Sequence, residues 1–177
     1  MQTFPVKGQR PLKDRSIAQI KALAHQSAKW KNHGVAMLCA EEASHRKTKS
    51  LKAVLEILQA LEIPPAAWLK KAHVAALKIE RPAPGSRYVD AILLFDANRA
   101  KDPFGLYVGE SANPPDVRFG QHRSSYKASK AVKKYGICRL PSLYEHINPF
   151  SKAKILVVQA DLAEVFRTAG FWVEGGH

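Results

Sequence analysis

Tyr107, Arg118 and His122 fall within one stretch, GLYVGESANPPDVRFGQH, from Gly105 to His122. Arg118 and His122 are four residues apart, so on a helix their side chains stand one above the other on a single face. Tyr107 comes from the strand-like run ahead of Pro114-Pro115, and a short turn lets that strand aim its phenol at the same face. A phenol, a guanidinium and an imidazole together suit hydrolysis of a phosphodiester. The phenol or the imidazole accepts the proton of an attacking water, and the guanidinium stabilises charge growing on the phosphoryl oxygens.

That chemistry needs a strand, a turn and a helix in order, and the surrounding pattern supplies them. YVDAILLFD, from Tyr88 to Asp96, is nearly all apolar and reads as a buried strand; ANRAKDPFG makes a turn, and LYVGES a second strand, which gives a β-hairpin. DVRFGQHR follows as a helix with Asp116 as its N-cap. SKAVKKYG reads as a short helix ending at Gly136, and AKILVVQADLAEVFRTAG as a third strand running into a helix that Gly170 ends. The order predicts an α/β (α+β) fold with a small three-stranded, largely antiparallel sheet flanked by helices.

The half before it is helical. RSIAQIKALAHQSAKWKNHG places Ile17, Ile20, Leu23 and Ala24 at helical spacing behind Ser16 as a cap. SLKAVLEILQALEIPP predicts a second helix stopped by Pro64-Pro65, and AAWLKKAHVAALKI a third. The connector RPAPGSR divides the chain into a basic helical region, residues 1–86, and a second domain, residues 87–177.

Charge sets the expected partner. With 28 Lys+Arg against 15 Asp+Glu the net charge is +13. Residues 1–86 hold 15 basic and 6 acidic groups (+9), and residues 87–177 hold 13 and 9 (+4). Such a surface seeks polyanions, and DNA is expected because binding phosphates releases counterions. No apolar run approaches the roughly 18 residues of a membrane span, and MQTFPVKGQRPLK lacks the apolar core of a secretory signal, so a cytoplasmic location without a membrane partner is expected. Cys39 and Cys138, the two cysteines, are too isolated for a zinc cluster or a disulfide framework. No heptad seam announces a dimer.

YVG at Tyr107–Gly109, followed by ES and VRFGQH, resembles the second half of the signature of the GIY-YIG nuclease superfamily, in which a YIG-like strand precedes an arginine-bearing helix. His122 further resembles the histidine of its restriction-endonuclease-like members. The resemblance covers about residues 88–177. It implies a metal-dependent DNA endonuclease with one divalent ion, Mg²⁺ or Mn²⁺, no small-molecule cofactor, and catalytic roles for Tyr107, Arg118 and His122; Tyr88 is the nearest counterpart of the family's first tyrosine. Restriction or defence is the implied role, with structure-specific repair or recombination as the other nuclease reading.

The family's metal-binding glutamate corresponds to Gln159, a neutral amide where a hard cation prefers carboxylate oxygen. Either Gln159 belongs to a non-catalytic nucleic-acid-binding module, or it stands in place of a glutamate by a near-isosteric, inactivating change; the otherwise intact set favours the second. Asp161, Glu164 and Glu174 are the nearby carboxylates, and none is expected as a primary ligand. Backbone contacts to DNA are expected from Arg46, Lys47 and Lys49 and from the segment HRSSYKASKAVKKYGICR, free of Asp and Glu, through Arg123, Lys127, Lys130, Lys133 and Lys134.

Overall fold

A computed structural model describes residues 12–29, 33–46, 48–60, 65–96, 98–99, 103–124 and 127–176. The chain forms two compact units, Met1–Lys71 and Ala72–His177. The division falls ahead of the connector Arg81–Arg87 because the end of a helix is tied into the second unit. His73 Nε2 is 2.9 Å from the Ser142 carbonyl, and His146 Nε2 is 3.1 Å from the Ala76 carbonyl.

In the first unit, α1 (Ile17–Lys29) begins with a reciprocal cap. The Gln19 amide donates to Ser16 Oγ at 3.2 Å, and Gln19 Oε1 accepts from the Ser16 amide at 2.8 Å, satisfying two orphan donors of the first turn. Next comes α2 (His33–Ser44), for which the sequence reading had no element. Val35, Ala36, Met37, Cys39, Ala40, Glu41, Glu42 and Ala43 are all buried, and a helix buried nearly all round lacks an amphipathic stripe. It packs against α1 and against α3 (Thr48–Ala60). Then α4 (Pro65–Ala76) starts on proline, whose missing N–H costs nothing in a first turn.

The second unit is mixed α/β, with a four-stranded open sheet instead of the expected three. β1 (Tyr88–Phe95) and β2 (Phe104–Ser111) form the expected hairpin, in register from Tyr88↔Ser111 to Phe95↔Phe104. After it, α5 (Pro115–Arg123) takes Pro114 as its N-cap, without a side-chain cap bond, so Asp116 lies inside the first turn, where its charge suits the helix dipole. The short α6 (Lys130–Tyr135) runs directly into β3 (Gly136–Arg139), an edge strand antiparallel to β1.

ILVV, expected as the third strand, is the start of α7 (Ile155–Thr168). Leu156 and Val157 are 63% and 52% exposed, so this apolar run lacks the two-sided burial of a central strand. Gly170 (φ +82°) ends the helix as expected. The fourth strand, β4 (Trp172–Gly175), lies parallel to β2, which the long crossover through three helices permits. The order across the sheet is β3-β1-β2-β4.

On one face of the sheet, Ile92 packs with Phe119 of α5, Val132 of α6 and Tyr107. The alternate set of strand residues, Val89, Ala91, Leu93, Leu106 and Val108, is fully buried, while α7, lying along β1, β2 and β4, buries Val158, Leu162 and Phe166. Each fully buried aliphatic side chain contributes about 2 kcal/mol. No helix among the described residues is long and apolar enough to cross a membrane.

Candidate functional site

The register of the hairpin decides what surrounds Tyr107. Its partner on β1 is Ile92, and Gly109, two residues on, faces Asp90. Cross-strand partners project to the same side, so Asp90, Ile92, Tyr107 and Gly109 share a face, and Arg139, paired with Ile92 from β3, joins them. Gly109 is required there, since a Cβ would stand 2.4 Å from Asp90 Oδ1 and 2.7 Å from the Tyr107 ring.

Over this face α5 brings Arg118 and His122, one turn apart. The His122 ring meets the Tyr107 ring edge-on, centroids 5.5 Å apart at 78°. His122 is only 2% exposed, and its Nδ1 accepts the Ser129 amide at 3.1 Å. The neutral ring therefore carries its proton on Nε2, which is buried and has no hydrogen-bond partner among the described residues. Burial first, and Arg118 second, hold its pKa down to about 4. At neutral pH His122 is a neutral ring packed edge-on against the phenol, and its basic nitrogen is already occupied.

Tyr107 is also kept protonated. Burial raises its pKa, and the charge of Asp90 raises it further, against the opposing pull of Arg118 and of the Ser129 side chain. Arg118 donates to the Lys127 carbonyl at 3.0 Å and to Gln121 Oε1 at 3.3 Å, which fixes the guanidinium while leaving N–H groups over. Tyr107 and Arg118 are half-buried.

Beneath them Asp90 is 2% exposed, and both its oxygens are sealed from solvent without a well-formed hydrogen bond. Burial raises its pKa to about 6, although Arg118, Arg139 and the nearby amides of Gly109 and Asp90 pull it back. The face thus sets donors over the buried Asp90 carboxylate, with Glu174, the register partner of Tyr107 on β4, beside them.

Tyr107, Arg118 and His122 meet on this face, and Asp90, Arg139 and Ser129, which the sequence did not single out, lie beside them. Asp90 carried a signal, being the one charge inside the apolar run YVDAILLF. Tyr88 lies on the same face of the sheet, two residues before Asp90. It pairs with Ser111 at the far end of the hairpin, beyond Asp90 on the strand, so the neighbour of Tyr107 is an isoleucine.

Gln159 is buried in α7, its carboxamide donating to the Val108 carbonyl at 3.2 Å. An amide fits this contact, and a carboxylate facing the same carbonyl oxygen could not donate to it. Among the described residues no three His, Cys, Asp or Glu side chains group as a metal cluster. The neutral amide at Gln159 is a weak ligand for Mg²⁺ or Mn²⁺, which prefer carboxylate oxygen. Glu174 accepts from Trp172 Nε1, and Glu164 pairs with Arg167 and Thr168.

Of the basic residues, Lys130, Lys133 and Lys134 are exposed along α6, and Lys127 is exposed with left-handed backbone (φ +46°) that turns its carbonyl to Arg118. Lys49 is exposed on α3. Arg46 is committed within the first unit, to Glu42 at 2.8 Å and to the carbonyls of Leu12, Lys13 and Arg15. Lys47 lies outside the described residues, as does the side chain of Arg123.

No protein-family model, curated protein or solved structure matches the chain.

Proposed function

We propose that the second unit engages DNA phosphodiesters through the Tyr107–Arg118 face, with the exposed lysines of α6 tracking the backbone, and that it is the substrate-gripping half of an endonuclease site. As the chain stands it binds without cutting. The observation that carries this reading is the state of the three groups at neutral pH. The phenol is held protonated, the imidazole has its free electron pair already occupied, and the guanidinium is cationic. Donors without a base stabilise a phosphoryl oxyanion but do not activate water.

Endonuclease activity is the second reading, and the resemblance of YVG and VRFGQH to the GIY-YIG signature supports it. Cutting then depends on the carboxylate that Gln159 replaces. The test compares DNA binding and plasmid nicking, in Mg²⁺ and in Mn²⁺, by this chain and by Gln159→Glu. The chain as it stands should bind and not nick. Gln159→Glu should lose about 1–3 kcal/mol of stability with the Val108 contact. Nicking by the glutamate form establishes the endonuclease; nicking by the unchanged chain refutes the binding-only state. Failure of Arg118→Ala to weaken DNA binding by at least tenfold removes the face from the interaction.

A further inference from the structure

Two residues before Tyr107 on β2, and therefore on the same face of the sheet about 7 Å away, is Gly105. Its register partner on β4 is Trp172, and the indole lies directly on the glycine: a Cβ there would be 2.4 Å from Trp172 Cε3. With that side of the ring covered, the guanidinium of Arg99 stacks over it, 4.4 Å from the centroid. Tyr135 meets Trp172 edge-on at 5.5 Å, and Lys134 Nζ is 4.8 Å from the Tyr135 ring. The polar edge of the indole is occupied by Glu174, at 3.0 Å from Nε1.

This arrangement is a platform held rigid from three sides. Gly105 is its floor, Glu174 fixes the in-plane rotation of the indole, and Tyr135 closes its rim. The top layer, Arg99, is exposed, as is Lys134. An exposed guanidinium plane backed by an indole offers a flat cationic surface, on which a nucleobase stacks with the cation held between two π-systems. Any base has such a face, so the platform is indifferent to sequence, but a base can reach it only by leaving its own stack. Lys134 stands at the rim of this stack, and Lys133 is exposed beside it on α6.

We propose that the Arg99–Trp172–Tyr135 stack binds an unpaired nucleobase next to the phosphodiester held at Arg118, which makes the preferred ligand nucleic acid with a single-stranded tail or loop. This inference rests on the phosphodiester-binding reading above and names its substrate class.

Three labelled ligands test it with the full chain by fluorescence anisotropy: a blunt duplex, the same duplex with an oligothymidine tail, and the same duplex with a tail of abasic sites. The thymidine tail should bind about tenfold more tightly than the abasic tail. Arg99→Lys keeps the charge, removes the plane and changes an exposed residue, so it should abolish the difference between the thymidine and abasic tails. Equal binding of the two tails, or a base preference that survives Arg99→Lys, overturns the stacking site. Absence of binding to all three ligands, or binding indifferent to Arg118→Ala, overturns the phosphodiester reading itself.

Discussion

In the first unit the buried carboxylate of Glu42 lies 2.8 Å from Arg46 Nε, and the same guanidinium donates to three main-chain carbonyls. In the second unit the buried carboxylate of Asp90 has two arginines near enough to feel its charge, yet neither oxygen completes a hydrogen bond. Both are acidic groups removed from water, an expensive placement. The first unit recovers the cost locally, and its arginine has little left for a ligand. The second leaves the cost standing, beneath a face whose tyrosine and arginine are half-buried. Unsatisfied buried groups gather where a protein interacts, because full internal pairing would use up the groups that meet the ligand.

Exchanging the two arginines tests that contrast most severely. Arg46→Ala removes the cation 2.8 Å from the buried Glu42 and should cost about 3 kcal/mol in denaturant unfolding, leaving the DNA affinity of the folded chain unchanged. Arg118→Ala should cost about 1 kcal/mol of stability, for two hydrogen bonds on a half-buried helix, and lose the DNA. A result in which both variants lose stability equally and neither loses affinity would erase the difference between the units.

The next effect is read in pH. Asp90 titrates near 6 in place of its ordinary 3.8, so it contributes stability that is present below 3.8 and lost as pH rises through 6. His122, at about 4 in place of 6.5, contributes stability that is present above 6.5 and lost as pH falls through 4. Each is on the order of 3 kcal/mol, and they oppose each other across the same window. The second unit should therefore show a nearly flat thermal stability between pH 4 and 6.5. Asp90→Asn should tilt it, stabilising the unit at neutral pH and uncovering acid lability; a variant that stays flat contradicts this pairing of opposites.

Smaller effects sharpen the picture. Gly109→Ala forces a methyl onto Asp90 and the Tyr107 ring and should cost about 2 kcal/mol, part of it recovered by Asp90→Gly in the double variant. Ser16→Ala removes one half of the α1 cap and should cost about 1 kcal/mol by thermal melting, with no effect on binding.

What could be read from the sequence was local. Tyr107, Arg118 and His122 lie within sixteen residues, and a strand, a proline turn and a four-residue helical interval place them without any knowledge of the rest. The parts that escaped depend on pairing at a distance. Asp90 and Arg139 reach the site through the register of β1 with β2 and β3, and a shift by one residue would have sent both to the opposite face. GICR and WVEG are strands of four residues at the two sheet edges, too short to show alternation. ILVV had the composition of a strand, but only packing decides that two of its residues face water. Tyr88 was chosen for its residue type; the register pairs Tyr107 with Ile92 and puts Tyr88 four residues further along the same face.

Cys39 lies fully buried in the first unit, its thiol pushed up to about 12 by burial, and Cys138 is buried on β3 of the second. Each unit thus carries a single sulfur that a thiol-labelling reagent can reach only when that unit opens. Mass-resolved labelling rates would time the opening of the two halves independently, in one intact protein and without adding a probe.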